Sequence, residues 1–119
     1  DFFPTFAELA GADVPTDRAY DGRSMVTLFD ANRQEIREAA LVHYDKNPDA
    51  PISEFERVRF AYDGTYKLYL DGRFYDVPND WEEESPIAAG KAGSGGEKVR
   101  EMLQAVLDRT PAWEKASKN

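Results

Sequence analysis

The chain contains no cysteine and one histidine among its 119 residues. The absence of cysteine excludes disulfide bonds, thiolate metal ligands and a cysteine nucleophile within this sequence. The single histidine, His43, excludes a metal site or a proton relay that needs two histidines. No run of about 18 apolar residues is present, so the sequence predicts no membrane-spanning helix. Chemistry that depends on these groups must therefore come from outside the chain.

An initiating methionine and a recognisable signal peptide are also lacking. The sequence starts at Asp1 and enters at once a segment with a helical pattern. We therefore expect a fragment or a truncated chain rather than a natural N-terminus. Its compartment cannot be predicted from cysteine usage, since no cysteine is present to report on it.

Basic residues are few: 15 lysines and arginines face 23 acidic residues, which gives a net charge of −8. This balance disfavours nucleic acid or an anionic membrane as the main partner. The 41% hydrophobic and 13% aromatic content is typical of a folded chain, and the length suits one domain at most.

The strongest pattern is the segment 57–77, RVRFAYDGTYKLYLDGRFYDV, in which two Asp-Gly pairs separate three short apolar runs. Asp-Gly between such runs is typical of tight hairpin turns, because glycine adopts positive φ at little cost. The segment predicts a three-stranded antiparallel meander, and AALVHYD, residues 39–45, predicts a fourth strand. The intervening loop contains two prolines.

The register of the meander is predicted from which apolar residues share a face. A three-residue loop ending at Gly64 would pair Phe60 with Tyr66 and Val58 with Leu68. A two-residue loop at Asp71-Gly72 would then pair Leu68 with Tyr75, and Tyr66 with Val77. Both loops keep the apolar sets on one face of the sheet.

Helices are predicted at both ends of the sequence. Residues 1–12 carry an apolar stripe that includes Phe3 and Phe6 and ends at Gly11, and Ser24 is positioned to cap a second short helix through Phe29. Near the C-terminus, Ser94 and Glu97 have capping-box spacing before a helix that Thr110-Pro111 ends. Its predicted apolar stripe comprises Val99, Met102, Leu103, Val106 and Leu107. The fold class is α+β: short N-terminal helices, then a four-stranded antiparallel sheet packed by an amphipathic C-terminal helix.

Candidates for chemistry are few, and each has a structural explanation. His43 alternates with Val42 and Tyr44 and is interpreted as an edge or surface histidine, because a general base needs a positioned partner. Asp76, Asn79 and Asp80 lack the spacing of a calcium loop. The acidic run of Glu82, Glu83 and Glu84 is interpreted as solvent-facing. Arg57 and Arg59 are interpreted as solvated edge charges, with anion binding as the alternative. The residues alone predict an α+β module with no catalytic site of its own.

Two stretches resemble the sulfatase family, within the alkaline-phosphatase-like superfamily. DFFPTFAELAGADVP followed by YDGRSMVTLF resembles a D-x-x-P-T helix and L-A-G before a D-G-x-S-L element. YKLYLDGRFYDVPNDWEEESPIA is similar to the C-terminal pattern of that family, a strand, a tight turn, then L-Y-D-L and a closing helix. This chain has Phe74 and Val77 where the family usually has leucine, and Asp80-Trp81 where Asp-Pro is common.

The resemblance implies that residues 1–38 are the end of a large, incomplete α/β domain, residues 39–110 a small C-terminal α+β subdomain, and 111–119 a flexible tail. Loops of such a subdomain usually help to wall the substrate cleft, so His43, Tyr44 and Lys46 are candidates for its edge. The family uses a formylglycine formed in a C/S-x-P-S-R motif and a calcium-like divalent metal. Neither is expected here, because the motif is absent and the metal ligands precede the D-x-x-P-T helix. No catalytic or metal residue is assigned in this chain.

Three functional interpretations remain open. The chain is the C-terminal portion of a sulfatase-like hydrolase, a stand-alone binding module without chemistry, or the same portion of a related phosphoryl hydrolase. The first implies as partners the missing N-terminal catalytic domain and, through it, a sulfate ester, with a secreted or periplasmic location. Self-association through exposed N-terminal aromatic side chains is a further expectation.

Overall fold

A computed structural model describes residues 1–29, 36–44 and 57–109. Its elements are one helix, a single-turn 3-10 helix, four strands and a second helix. In chain order they are α1 (Phe2–Leu9), the 3-10 helix (Val26–Phe29), β1 (Ala40–Tyr44), β2 (Val58–Tyr62), β3 (Tyr66–Tyr69), β4 (Phe74–Asp76) and α2 (Gly93–Asp108). The predicted α+β class is confirmed. The chain divides into two compact units, Asp1–Glu38 and Ala39–Asn119. Their assignment to a large α/β domain and a small subdomain stays a prediction, and the proposed tail 111–119 lies outside the described residues.

The first unit is organised by Thr5, the buried side chain of α1. Its hydroxyl donates to the backbone oxygen of Asp1 at 2.7 Å and accepts the backbone N–H of Met25 at 2.9 Å. Gly11 follows the end of the helix, as predicted, with φ of +65°, and backbone bonds satisfy the last carbonyl groups. Ser24 accepts the N–H of Val26 and starts the 3-10 helix. Thr5 thus joins two short elements that would be marginal alone.

The sheet in the second unit is antiparallel throughout, in the order β1-β2-β3-β4. This confirms the predicted meander and the fourth strand. The registers of both hairpins, however, differ from the prediction. Ala61 faces Leu68 and Phe60 faces Tyr69, whereas Phe74 rather than Tyr75 faces Leu68.

The register of the first hairpin is wrong in the prediction because of the Asp63 side chain. Its Oδ1 accepts the backbone N–H groups of Thr65 and Tyr66 at 2.8 and 2.7 Å, while the N–H of Asp63 bonds the carbonyl of Tyr66 at 3.2 Å. These bonds close a two-residue loop, Gly64-Thr65, with Gly64 at φ of +103°. Asp63 therefore ends the strand pair instead of occupying the loop.

The second hairpin has the longer loop that was predicted for the first. The N–H of Tyr69 bonds Arg73 at 2.9 Å, and the N–H of Gly72 bonds Tyr69 at 2.9 Å. The loop therefore contains three residues, Leu70 to Gly72, and Gly72 has φ of +91°. The exchange of loop lengths moves Phe74 to the α2 face of the sheet, and Tyr75 to the opposite face.

The core lies between α2 and one face of the sheet. Its buried members are Ala61, Leu68, Phe74, Leu103 and Leu107. The predicted stripe of α2 is confirmed, since its other members pack against this cluster. The prediction that Val58, Phe60 and Tyr62 form the core face of β2 is wrong. The small Ala61 takes that face, where α2 approaches the sheet.

The start of α2 differs in detail from the predicted capping box. The helix begins at Gly93, and Ala92 rather than Ser94 precedes it. Glu97 accepts the N–H of Ala92 at 3.0 Å, and this bond is the largest cause of a lowered pKa of the carboxyl group. Gly96 is buried, and a Cβ there would lie 2.6 Å from the Cβ of Ala92 and 3.5 Å from the hydroxyl of Tyr66. The bare backbone at Gly96 therefore permits close packing. The predicted stop at Thr110-Pro111 lies outside the described residues.

Replacing Leu68 with alanine tests this core. Leu68 is 2% exposed at the centre of the sheet, so Leu68→Ala should lower the free energy of unfolding by roughly 2–5 kcal/mol. Leu70→Ala is the matched control, since Leu70 is 47% exposed and should lose under about 0.5 kcal/mol. Urea unfolding of the two variants measures both losses. Equal losses would contradict the assigned face.

Candidate functional site

His43 and Arg59 face each other across β1 and β2. The Nε and a terminal nitrogen of Arg59 lie 3.1 and 2.9 Å from Nδ1 of His43. Because a guanidinium only donates, Nδ1 of His43 is the acceptor in this contact. Arg59 is only 6% exposed. The prediction that it is a solvated charge on the non-core face is therefore wrong: it shares the face of Ala61, with an imidazole as one partner.

The other two candidates for a cleft edge are placed differently. Tyr44 is exposed beside His43 on β1 and, by strand alternation, points to the opposite face. Lys46 lies outside the described residues. The structure thus brings His43 together with Arg59 rather than with Tyr44.

A pocket of about 410 Å³ opens beside this pair, where the start of β2 meets the loop between β3 and β4. Three of the side chains that line it are arginines, in a chain of net charge −8. The lining comprises Arg57, Val58, Arg59, Tyr69, Leu70, Asp71 and Arg73. Among the described residues, the lining thus combines three guanidinium groups with one carboxylate, that of Asp71.

Arg73 is held at the pocket by Asp71 and Tyr69. Its Nε donates to Asp71 at 2.7 Å, and its guanidinium carbon lies 4.5 Å from the ring centroid of Tyr69. Burial alone would raise the pKa of Asp71, but the backbone and side-chain bonds from Arg73 outweigh it and lower the pKa. The carboxylate is thus kept ionised and turned toward Arg73.

On the face of the sheet away from α2, which Tyr69 shares with Arg73, Glu83 binds two side chains of β3. Its carboxylate accepts hydrogen bonds from Lys67 and from the hydroxyl of Tyr69. Glu83 has φ of +58°, an uncommon backbone conformation for a residue with a side chain. The prediction of a fully solvated Glu82–Glu84 run is wrong at this residue, because Glu83 is half-buried while Glu82 and Glu84 are exposed.

The residues considered for calcium use their side chains locally. Asn79 donates to Asp76 at 3.0 Å, and the carboxylate of Asp80 accepts the N–H groups of Glu84 and Ser85 at 3.0 and 2.9 Å. In the described ranges, no group of three or more histidine and acidic side chains is arranged to hold a metal ion. None of the helices in those ranges is long and apolar enough to cross a membrane.

Comparison with curated proteins gives short but close matches. Over 44 residues, 37% of this chain, the sequence is 48% identical to steryl-sulfatase of Rattus norvegicus and 46% identical to that of Homo sapiens. The chain is related to sulfatases. It spans only 8% of the length of either steryl-sulfatase. No family model matches the sequence.

A solved structure extends the sulfatase relationship over more of the chain. The structure of BT4656 in complex with its substrate, D-glucosamine-2-N,6-O-disulfate, superimposes with a TM-score of 0.67 and 26% sequence identity. It covers 91% of this chain, which corresponds to 22% of that protein. The whole protein that carries such a region is therefore much longer in this relative as well.

No sequence pattern marks Arg73 as a pocket residue, or Glu83 as a partner of β3. Arg57 and Arg59 were recognised as neighbours on one face, and anion binding was the alternative considered for them. The position of Arg73 follows from the three-residue loop, which was assigned to the wrong hairpin. Glu83 lies 16 residues from Lys67 in sequence, so no local pattern joins them.

The contact between Tyr69 and Glu83 can be tested by titration. Burial first, and then the bond to Glu83, raise the pKa of Tyr69 above the ordinary value of about 10. The neutral phenol is thus favoured in the folded state, and its stabilising contribution is present below about pH 10 and is lost as pH rises through the folded pKa. Glu83→Gln should lower that pKa, while burial still keeps it above the ordinary value.

The matched control is Glu82→Gln, which removes the same charge from an exposed neighbour. Ring resonances of Tyr69 followed by NMR from pH 8 upward would give the pKa in each variant. An unchanged value in Glu83→Gln, or ionisation of Tyr69 near pH 10 in the parent chain, would contradict the contact.

Proposed function

We propose that the chain is the C-terminal, non-catalytic portion of a sulfatase-like hydrolase, and that the whole protein hydrolyses sulfate esters. The observation that carries this proposal is the 48% identity to a steryl-sulfatase over 44 residues. The structural similarity to BT4656, covering 91% of the chain, supports the same conclusion. The two relatives differ in substrate, one being named for steryl sulfates and the other bound to a sulfated amino sugar.

In this proposal the chain supplies structure and part of the cleft wall, and the missing N-terminal domain supplies the chemistry. The sequence contains no C/S-x-P-S-R motif in which a formylglycine forms. The part of the chain that the structure describes offers no cluster fit for a divalent metal. The described residues thus fit neither a formylglycine nor a divalent metal, and no catalytic step is assigned to them. His43 is proposed to lie at the edge of the cleft.

The exposed aromatic side chains of the first unit are consistent with a missing partner surface. Phe2, Phe6 and Phe29 are each more than 60% exposed, and Phe2 and Phe6 stack with ring centroids 6.0 Å apart. Each such ring contributes roughly 150–250 Å² of mostly apolar surface, so together they exceed what isolated exposed residues explain. We propose that the N-terminal catalytic domain of the same protein covers them.

The activity of the whole protein decides the main proposal. The 119-residue chain should hydrolyse neither aryl sulfate nor aryl phosphate above background, because its sequence lacks C/S-x-P-S-R and its described residues form no metal cluster. The longer gene product should hydrolyse the sulfate, and replacing the cysteine or serine of its C/S-x-P-S-R motif with alanine should abolish turnover.

Two results would contradict this assignment. The first is turnover of the aryl sulfate by the isolated chain that is lost in His43→Ala. The second is a longer gene product without C/S-x-P-S-R that prefers the phosphate ester, which would favour the related phosphoryl hydrolase.

The aromatic surface gives a separate prediction for the isolated chain. Without its covering domain, the chain should self-associate through the first unit, and the double change Phe2→Ser and Phe6→Ser should shift it toward monomer in sedimentation velocity. Trp81→Ser is the control, because Trp81 is 77% exposed but lies in the second unit.

Hydrogen exchange provides the complementary measurement. Amides before about Leu41 should exchange faster than those of 57–77, because ordering the first unit is not offset by enough burial. A monomer with uniform protection would show that the chain is a self-sufficient domain.

A further inference from the structure

The chain contains three Asp-Gly pairs, at residues 21–22, 63–64 and 71–72. The first two belong to the same tetrapeptide, Ala-Tyr-Asp-Gly, which occurs at residues 19–22 and again at 61–64. In an Asp-Gly pair the glycine nitrogen can attack the aspartate side chain, because glycine has no side chain that blocks the approach. The local sequence thus gives Asp21 and Asp63 similar intrinsic reactivity, and a large difference between them must come from the fold.

This reaction converts aspartate into isoaspartate and needs no added reagent. As the glycine nitrogen forms a bond to Cγ of a protonated aspartate, the amide proton and the carboxyl hydroxyl leave together as water. Water then opens the five-membered succinimide at either of its carbonyl carbons. Opening at the backbone carbonyl carbon leaves the main chain running through the former side chain, and the mass of the protein is unchanged.

The turn between β2 and β3 restrains Asp63. Its Oδ1 accepts the N–H groups of Thr65 and Tyr66 at 2.8 and 2.7 Å, so the carboxylate is held away from free rotation toward the nitrogen of Gly64. The N–H of Asp63 also bonds the carbonyl of Tyr66 at 3.2 Å, which fixes the main chain at the reacting pair. These bonds must open before the ring can close.

Asp71-Gly72 is restrained at both reacting groups. The Asp71 carboxylate accepts Nε of Arg73 at 2.7 Å and the backbone N–H of Arg73 at 3.0 Å. Burial would raise the pKa of Asp71, but the bonds from Arg73 lower it, so the reactive protonated form is scarce. The N–H of Gly72, which must be lost in the attack, donates to the carbonyl of Tyr69 at 2.9 Å.

Asp21 differs from both of the other aspartates. It is exposed and belongs to no helix or strand. Within the part of the chain that the structure describes, no hydrogen bond or ion pair engages its carboxylate. The side chain can therefore turn toward the nitrogen of Gly22 without breaking a contact. Of the three pairs, this one is open to ring closure in the folded chain.

The main chain after this pair is packed tightly against the start of α1. A Cβ at Gly22 would lie 2.9 Å from the backbone nitrogen of Asp1. The N–H of Arg23 donates to the Asp1 carboxylate at 2.8 Å, and the N–H of Met25 donates to the hydroxyl of Thr5 at 2.9 Å. An isoaspartate inserts one more carbon into the main chain directly before these contacts, or about 1.5 Å of bond length. The tight space at Gly22 does not accommodate that longer path.

We propose that Asp21-Gly22 is a site of spontaneous isoaspartate formation, and that the modification releases the segment 22–25 from α1. Thr5 is the buried side chain that joins the two short elements of the first unit, so the loss of its bond to Met25 would loosen that unit as the protein ages. The inference does not depend on the proposed sulfatase function.

Ageing the 119-residue chain at 37 °C and pH 7.4 tests the site. Trypsin releases each Asp-Gly pair in its own peptide, residues 19–23, 60–67 and 68–73. Mass spectrometry with fragment ions that distinguish isoaspartate from aspartate then gives the rate in each peptide. Isoaspartate should accumulate at least about tenfold faster in 19–23 than in the other two, because they require local opening first.

The same chain unfolded in 6 M guanidinium chloride is the matched control. The two Ala-Tyr-Asp-Gly tetrapeptides should then react within about twofold of each other, because no folded structure distinguishes them. Equal rates at Asp21 and Asp63 in the folded chain would overturn the proposed site. A rate difference that persists unchanged in guanidinium would overturn its explanation by the fold.

Asp21→Asn tests the chemical route. Asparagine forms the same succinimide with loss of ammonia, which leaves more readily than the hydroxyl of a carboxyl group, so isoaspartate should appear faster in this variant than in the parent chain. A slower or equal rate in Asp21→Asn would contradict the succinimide route.

The release from α1 is measured on the isoaspartate form after chromatographic separation from the aged chain. The NMR signals of the Thr5 methyl group and the Met25 amide should shift relative to the unaged chain. Asp21→Glu, aged in the same way, is the control and should keep both signals in place, because glutamate would need a less favourable six-membered ring. Unshifted signals in the isoaspartate form would overturn the proposed release.

Discussion

The carboxylate of Asp63 fixes the geometry on which the second unit depends. By accepting the N–H groups of Thr65 and Tyr66, it closes the turn and sets which residues of β2 and β3 face each other. A shift of one residue would exchange the two faces of the sheet. With the observed register, Ala61 and Leu68 lie under α2, and Phe60 and Tyr69 lie on the other side with ring centroids 5.2 Å apart. Both the core and the Glu83 contacts follow from this one turn.

The elements of the fold were predictable from sequence because their signals are local. The Asp-Gly pairs, the periodic stripe of α2 and Gly11 each act within a few residues. The register was not, because both faces of the strands carry apolar side chains. Phe60 and Tyr62 on one face are largely apolar, and so are Ala61 and Leu68 on the other. The alternation of side chains therefore does not distinguish the core face. The hydrogen bonds of the Asp63 side chain decide the register, and the hydrophobic pattern of the strands carries no trace of them.

The candidate site was predictable only in part. His43 was selected as a cleft-edge residue, but its contact with Arg59 joins residues 16 apart in sequence. Arg73 reaches the same pocket through a loop whose length depends on the register. Sequence therefore indicates which residues are charged or aromatic, whereas tertiary pairing decides which of them meet. The pocket arginines share a general property of such sites: their positions are set by strand pairing rather than by a motif.

The first turn of α2 passes close to the aromatic side chains of the sheet at Gly96. The backbone of Gly96 lies next to Tyr66, and Tyr66 stacks on Phe74 with ring centroids 5.0 Å apart and the planes within 6°. One turn further along the helix, Arg100 places its guanidinium carbon 4.1 Å from the ring centroid of Phe74 and donates to the carbonyl of Ile87. A side chain at Gly96 would instead collide with the Cβ of Ala92, 2.6 Å away. The glycine thus lets the residue before α2 fold closely over the first turn of the helix, next to the stacked rings.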